Sequence, residues 1–311
     1  MSKTAFIFPG QGAQYVGMGQ DFYESIPVCK TVMNTASEVT GLNIPALCFE
    51  ENEKIHITEY TQIAMLSVSV AILKAVQEQG LTSCVNAGLS LGEYGALAAS
   101  EVMSMEDIFT VVRKRGIYMQ EAVPTGGAMA AILGCDAQVI EKICQETEEV
   151  VSIANYNCPG QIVITGEETA VRRAGEALKE AGARRVLPLK VSGPFHSRML
   201  TGAGEKLGKV LEPVKIRAFE TPYVSNVTAE YVTDPEQVKP LLVRQVSSSV
   251  CWQQSVENMI RQGVDTFIEI GPGRTLTGFM RKIDRNVRAF NIEKLEDMDK
   301  VIKGVKGNVR E

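Results

Sequence analysis

Ser83-Cys84-Val85-Asn86-Ala87-Gly88-Leu89-Ser90-Leu91-Gly92-Glu93-Tyr94-Gly95-Ala96-Leu97-Ala98-Ala99 reads as a strand over 83–87 that turns at once into a helix over 91–99. A serine on so sharp a strand-to-helix turn is pushed out of the fold with its hydroxyl presented. Flanking glycines, here Gly88 and Gly92, keep neighbouring backbone from clashing. The pattern predicts a nucleophile elbow at Ser90. As a bare spacing, Gly-x-Ser-x-Gly also fits a tight turn whose serine only caps the next helix, so the rest of the chain has to decide.

Serine is a poor nucleophile near pH 7 unless a base takes its proton, and histidine suits that task best. The chain has two histidines. His56 lies in the charged run Glu50-Glu51-Asn52-Glu53-Lys54-Ile55-His56 and reads as a solvated surface imidazole. His196 lies in Val191-Ser192-Gly193-Pro194-Phe195-His196-Ser197, directly after an apolar strand over 185–191. Pro and Gly turn the chain there, at a strand end where α/β folds place catalytic groups. A local hydrogen bond at a helix start is the other use for such a histidine. At the amino terminus a strand over 4–8 leads into Pro9-Gly10-Gln11-Gly12-Ala13-Gln14. This glycine-rich loop leaves backbone N–H groups free to face a phosphate or the oxyanion of an acyl-transfer intermediate. A dinucleotide fingerprint fails, because Tyr15 stands in the third glycine's place, and no Walker pattern is present.

Strand-like and helix-like runs alternate along 311 residues, the pattern of an α/β protein with a mostly parallel sheet covered on both faces. Helices are expected over 28–39, 61–79, 91–99 and 107–121. Between the break Pro124-Thr125-Gly126-Gly127 and Gly193 the order is strand 128–133, helix 137–146, strand 150–155, strand 161–165, helix 168–181, strand 185–191. That βαββαβ order is ferredoxin-like. The expected organisation is a large domain over 1–125 and 193–311 and a small subdomain over 126–192, with substrate in the cleft between them. A strand over 221–225, helices over 235–245 and 252–261 and a strand over 266–270 return to the large domain. Gly271-Pro272-Gly273 reads as a strand-to-helix turn, Asn155 and Asn157 as residues that tie down a turn, and the polar tail beyond Asp299 as frayed.

A net charge of −5 argues against general affinity for nucleic acid or an anionic membrane. No stretch approaches the ~20 apolar residues of a membrane span, and Met1-Ser2-Lys3-Thr4 leads straight into a strand; a cytoplasmic monomer is expected. The cysteines, at 29, 48, 84, 135, 144, 158 and 251, are odd in number, scattered and without a C-x-x-C pair. They read as buried free thiols, with neither metal nor disulfide.

Six stretches resemble the malonyl-CoA:acyl carrier protein transacylase family, in family order. They are Phe8-Pro9-Gly10-Gln11-Gly12-Ala13-Gln14, Gly88-Leu89-Ser90-Leu91-Gly92-Glu93-Tyr94, Arg115-Gly116 with Met119-Gln120, Asn155-Tyr156-Asn157-Cys158-Pro159-Gly160-Gln161, Gly193-Pro194-Phe195-His196-Ser197, and Glu269-Ile270-Gly271-Pro272-Gly273. The resemblance implies an α/β-hydrolase-like core with an inserted ferredoxin-like subdomain. It implies transfer of malonyl from malonyl-CoA to the phosphopantetheine thiol of acyl carrier protein, for fatty-acid or polyketide chain extension, with no cofactor. Residue by residue, it makes Ser90 the acyl-bearing nucleophile and His196 the base and acid. Backbone N–H groups of Gln11 and Leu91 become the oxyanion hole, and Gln245 orients the histidine through a carbonyl. Arg115 becomes the malonyl carboxylate's partner, although the run Arg113-Lys114-Arg115 by itself reads as a solvated helix face. Phe195 is expected to crowd the acyl α-carbon. Leu89 departs from the family, many of whose members have histidine there; that histidine is not the base, so the chemistry is expected to survive, but a polar contact beside the elbow is lost, which leaves acyl preference open to change. Lys190, Arg198, Arg281 and Lys282 are the expected docking charges for carrier protein. A serine esterase shares the elbow but has no use for Arg115, and a binding module would leave Ser90 unacylated.

Overall fold

The computed structural model describes residues 2–190 and 193–306. Strand β1 (Thr4–Phe8) precedes helices α1 (Gln20–Ser25), α2 (Pro27–Thr40), α3 (Ile44–Phe49) and α4 (Thr58–Glu78), and β2 (Val85–Gly88) precedes α5 (Gly92–Ala99) and α6 (Met105–Ala122). Then come β3 (Gly127–Leu133), α7 (Ala137–Glu146), β4 (Val151–Cys158), β5 (Gln161–Glu167), α8 (Glu168–Glu180) and β6 (Arg185–Pro188). The chain continues through α9 (Thr201–Leu211), β7 (Tyr223–Val224), β8 (Tyr231–Val232), α10 (Pro235–Gln245), α11 (Trp252–Arg261), β9 (Thr266–Ile270), α12 (Thr275–Ile283), β10 (Arg288–Ile292) and α13 (Leu295–Lys306).

Six strands form one sheet in the order β10-β9-β1-β2-β7-β8, parallel throughout except where β8 runs against β7. Successive side chains of a strand point to opposite faces, and here both faces are covered. From β1, Phe6 and Phe8 enter the core built with α2, α4 and α6, while Ala5 and Ile7 enter the opposite one with Trp252, Met259 and Met280 of α11 and α12. The register pairs Phe8 with Gly88, so β1 and β2 end level and the loop after β1 lies beside the elbow. Contrary to the sequence expectation, one helix, α4, has the length and mean hydropathy to cross a membrane, but its apolar window is 83% buried inside the protein. It is the central helix of the larger core.

The second sheet is antiparallel, in the order β4-β5-β3-β6, with α7 and α8 on one face. Both helices are amphipathic: Ile140 and Cys144 of α7, and Ala170, Val171, Ala174 and Leu178 of α8, face the strands. Val250, in the stretch between α10 and α11, pairs with β4: its N–H donates to Ala154 O (2.7 Å) and its carbonyl accepts from Tyr156 N–H (2.9 Å).

Several expectations need correction. Asn155 and Asn157 lie within β4, beside its register shifts, and not in a turn. Strand β6 is shorter than expected and ends at Pro188, although the Leu189 N–H still donates to Met129 O (2.9 Å). The boundary expected at 192/193 involves residues 191 and 192, and the end of the tail residues 307–311; these lie outside the described residues. Beyond Asp299 the chain stays helical to Lys306, held by the buried Met298 and Val301. The seven cysteines are free, but only Cys29, Cys48, Cys144 and Cys158 are buried; Cys84, at the entry to β2, is exposed, and Cys135 and Cys251 are half-buried.

Candidate active site

Strand β2 delivers Ser90 two residues after its end, and helix α5 begins two residues later. The turn is tight enough that a Cβ on Gly88 would stand 2.0 Å from the Gly92 carbonyl, and one on Gly92 would stand 2.1 Å from Phe8 O. Only glycine fits at either place. Ser90 itself has φ 55, the left-handed region that costs a non-glycine residue about 1 kcal/mol or more. Two amide side chains hold it there. Asn226 Oδ1 accepts from Ser90 N–H (2.7 Å) and Asn226 Nδ2 donates to Gly88 O (2.7 Å), while Gln245 Nε2 donates to Ser90 O (2.9 Å).

His196 also has positive φ, 60, and its ring is buried. Its Nε2 lies 2.7 Å from Ser90 Oγ and its Nδ1 lies 2.9 Å from the backbone carbonyl of Gln245. A carbonyl only accepts, so the ring proton sits on Nδ1 and the Nε2 lone pair faces the serine hydroxyl. Burial, and after it the positive charge of Arg115, pushes the imidazole down to about 4. His196 is therefore a neutral acceptor at pH 7. Its orienting partner is a peptide group where a catalytic triad would have a carboxylate.

Arg115 of α6 is 1% exposed, whereas Lys114 is exposed and Arg113 pairs with Glu59 Oε2 at 3.0 Å. Its Nη1 donates to Gln62 Oε1 (2.7 Å) and its Nη2 to Gln245 Oε1 (2.9 Å) and Ser90 Oγ (3.2 Å); the guanidinium stacks 5.5 Å from the Tyr94 ring centre. Among the described residues no carboxylate lies within ion-pair distance of it, and its Nε has no partner. A guanidinium buried so thoroughly is costly; the charge of Glu93, beyond Gln245, offsets part of that cost, and an anion in the site would offset more.

The sequence-predicted residues thus gather at one point: Ser90, His196, Arg115 and Gln245 are joined by direct hydrogen bonds. Gln11 and Leu91 flank the elbow, and among the described residues neither backbone N–H has an acceptor. The Gln11 side chain is anchored on Thr58 Oγ1 at 3.0 Å. Phe195 is buried in the larger core, and Leu89 packs its backbone carbonyl and side chain against Gly10. His56 is exposed, in a 3-10 turn over Glu53–His56. Lys190, Arg198, Arg281 and Lys282 are all exposed.

Gln62, Glu93 and Asn226 complete the cluster and escape a reading of the sequence. Only Glu93 carried a signal, as a charged residue in the otherwise apolar start of α5. It is fully buried, its Oε2 accepts from Gln245 Nε2 (2.6 Å) and Asn226 N–H (3.2 Å), and burial pushes its carboxyl up to about 7.

The family described as "Acyl transferase domain" matches residues 5–311. The malonyl CoA-acyl carrier protein transacylase of Bacillus subtilis is 44% identical, with 98% of each chain covered. A solved malonyl CoA-acyl carrier protein transacylase from Clostridium perfringens superposes with a TM-score of 0.95 at 42% identity, covering 98% of each chain. A malonyl-transacylase solved in complex with its type II PKS acyl-carrier protein gives 0.94 at 40% identity, covering 97% of this chain and 100% of that one. Similarity of this extent in both sequence and structure shows that the chain belongs to the acyl transferase domain family.

Proposed function

We propose that the protein moves a malonyl group from malonyl-CoA to the phosphopantetheine thiol of acyl carrier protein through a malonyl ester on Ser90. The observation that carries the reading is the double approach to one hydroxyl. Ser90 Oγ meets a neutral imidazole at 2.7 Å and, at 3.2 Å, a buried guanidinium with no carboxylate partner among the described residues. His196 Nε2 takes the hydroxyl proton as Oγ attacks the thioester carbonyl, and the oxyanion turns toward the N–H groups of Gln11 and Leu91. The C–S bond breaks and the coenzyme A sulfur leaves with the proton from His196. The carrier thiol then gives its proton to His196 and attacks the ester, and the proton returns to Ser90 Oγ. A thioester is already activated, so positioning and charge stabilisation suffice without a cofactor. Arg115 holds the distal carboxylate with its fork, and Phe195 limits branching at the α-carbon.

The same reading takes the core as α/β-hydrolase-like, supported by the elbow in a parallel sheet. It takes residues 126–192 as a ferredoxin-like subdomain between the parts of a large domain over 1–125 and 193–311, supported by the β4-β5-β3-β6 order. Seven unpaired thiols fit the reducing cytoplasm, and a monomer provides all the groups the reaction needs. The carrier docks on the exposed Lys190, Arg198, Arg281 and Lys282, in primary metabolism or in polyketide synthesis.

The test is acyl preference. Arg115→Ala is expected to lower the malonyl-to-acetyl ratio of kcat/KM by about a hundredfold or more, and Arg115→Lys to recover little, because an ammonium does not make two parallel hydrogen bonds. An unchanged ratio would remove Arg115 from substrate recognition.

A further inference from the structure

Ser90 sits in a conformation that its own side chain disfavours, and what holds it is not local. Its N–H is bonded by Asn226 and its carbonyl by Gln245, residues 136 and 155 positions away along the chain. Both holders converge on a single atom. Glu93 Oε2 accepts the Asn226 backbone N–H at 3.2 Å and the Gln245 Nε2 at 2.6 Å. Because Nε2 is tied to Glu93 and to Ser90 O, the amide of Gln245 is fixed with Oε1 toward Arg115 Nη2, at 2.9 Å. The other carboxylate oxygen, Oε1, is buried with no partner among the described residues. A carboxyl whose ionised form is disfavoured by burial, with one oxygen idle, is an expensive way to fill space; an apolar side chain of similar volume would serve a purely structural role at lower cost.

We infer that Glu93 is a positioning residue for acyl transfer, one oxygen anchoring the two amide-bearing residues that grip both ends of the Ser90 peptide and turn the Arg115 fork toward the Ser90 hydroxyl. This rests on the reading of Ser90 as nucleophile. The acceptor requirement explains the residue type. An amide at this place satisfies both donors only with its oxygen turned inward, leaving an NH2 group where Oε1 now sits and no acceptor for it. A hydrocarbon satisfies neither donor, which frees Asn226 and Gln245 to shift and Ser90 to relax.

The experiment uses phenylmethylsulfonyl fluoride on the full chain, because this neutral probe reports the serine independently of any malonyl carboxylate. Ser90 Oγ bonds to sulfur, fluoride leaves, and the hydroxyl proton passes to His196. Labelling rates at Ser90 are compared for the wild type, Glu93→Gln and Glu93→Leu, with unfolding midpoints measured alongside. Displacing a nucleophile by about 1 Å costs on the order of a hundredfold, so Glu93→Leu is expected to label about a hundredfold slower and Glu93→Gln about tenfold slower per folded molecule. Where Glu93→Leu does not fold, Glu93→Gln decides. Asn226→Ala added to Glu93→Gln should slow labelling little further, as expected of groups acting on one peptide. Wild-type protein labelled elsewhere than at Ser90 overturns the nucleophile reading and this inference with it. Wild type labelled at Ser90, with folded Glu93 variants labelling equally fast, overturns this inference alone and leaves Glu93 a matter of stability.

Discussion

Strand β2 is buried at all four of its residues, while β6 is exposed at three of four, yet the chain leaving each strand provides one half of the 2.7 Å contact between Ser90 and His196. Ser90 follows β2 immediately and is aimed by backbone packing among Phe8, Gly88 and Gly92. His196 arrives eight residues after β6 ends, too far for the strand to aim it, and its ring is fixed from outside by the Gln245 carbonyl. The turn that carries Ser90 is shaped by close backbone packing and then gripped on both sides of its peptide by Asn226 and Gln245, whereas a single distant carbonyl fixes the His196 ring. The difference separates what a methyl added to the backbone damages: at Gly88, before Ser90, it should strike the fold, and at Gly193, before His196, it should be tolerated.

The strongest way to break this contrast is to remove each half. Ser90→Ala should abolish the covalent adduct formed with malonyl-CoA, read by intact mass and peptide mapping; an adduct that persists moves the nucleophile elsewhere. His196→Ala should lose about 10²- to 10⁴-fold in kcat with a near-normal melting profile, while His56→Ala stays at the wild-type rate. Equal losses in the two histidine variants would mean that the buried ring is not the base.

A smaller effect sharpens it. A methyl at Gly88 meets backbone at 2.0 Å that cannot move without displacing α5, so Gly88→Ala should cost about 3 kcal/mol. A methyl at Gly193, three residues before His196, meets its nearest atom at 3.5 Å, an ordinary contact, and Gly193→Ala should cost less than about 1 kcal/mol. Urea midpoints measure both. Similar costs would show the histidine loop to be as tightly packed as the elbow.

The same contrast governs how far the sequence could be read. Where a signal is local it reads directly: helices α7, α10 and α11 and strand β9 have the bounds expected of them, and the elbow stands at Ser90. Helix α9 has no such signal, because Gly202, Gly204 and Gly208 lower its propensity; burial of Ala203, Leu207 and Leu211 overrides that. Arg113, Lys114 and Arg115 are indistinguishable as a charge run, but successive helix positions point about 100° apart and only the third faces the core. Its burial was reachable only through the family resemblance. Gln62 and Asn226 were not legible at all, since their partners lie 53 and 136 residues away and neither sits in a pattern that a single sequence displays.

The finest discrimination comes from pH. His196 is a competent base only when neutral, and a ring held at about 4 stays neutral down to pH 5.5, where an imidazole at the ordinary ~6.5 is roughly nine-tenths protonated. The acid limb of kcat/KM, which reports the free enzyme, should therefore fall as pH drops through about 4, so that the value at pH 5.5 remains within about twofold of that at pH 7. Glu93, at about 7, titrates inside that window, and measuring Glu93→Gln as well leaves the limb to the histidine. Arg115→Ala should move the limb upward, because it removes the neighbouring positive charge and admits water, the two causes that hold the ring down. A limb near 6.5 in Glu93→Gln would mean that the imidazole shares the exposure of the strand leading to it, and the contrast between the two halves of the site would then reduce to backbone alone.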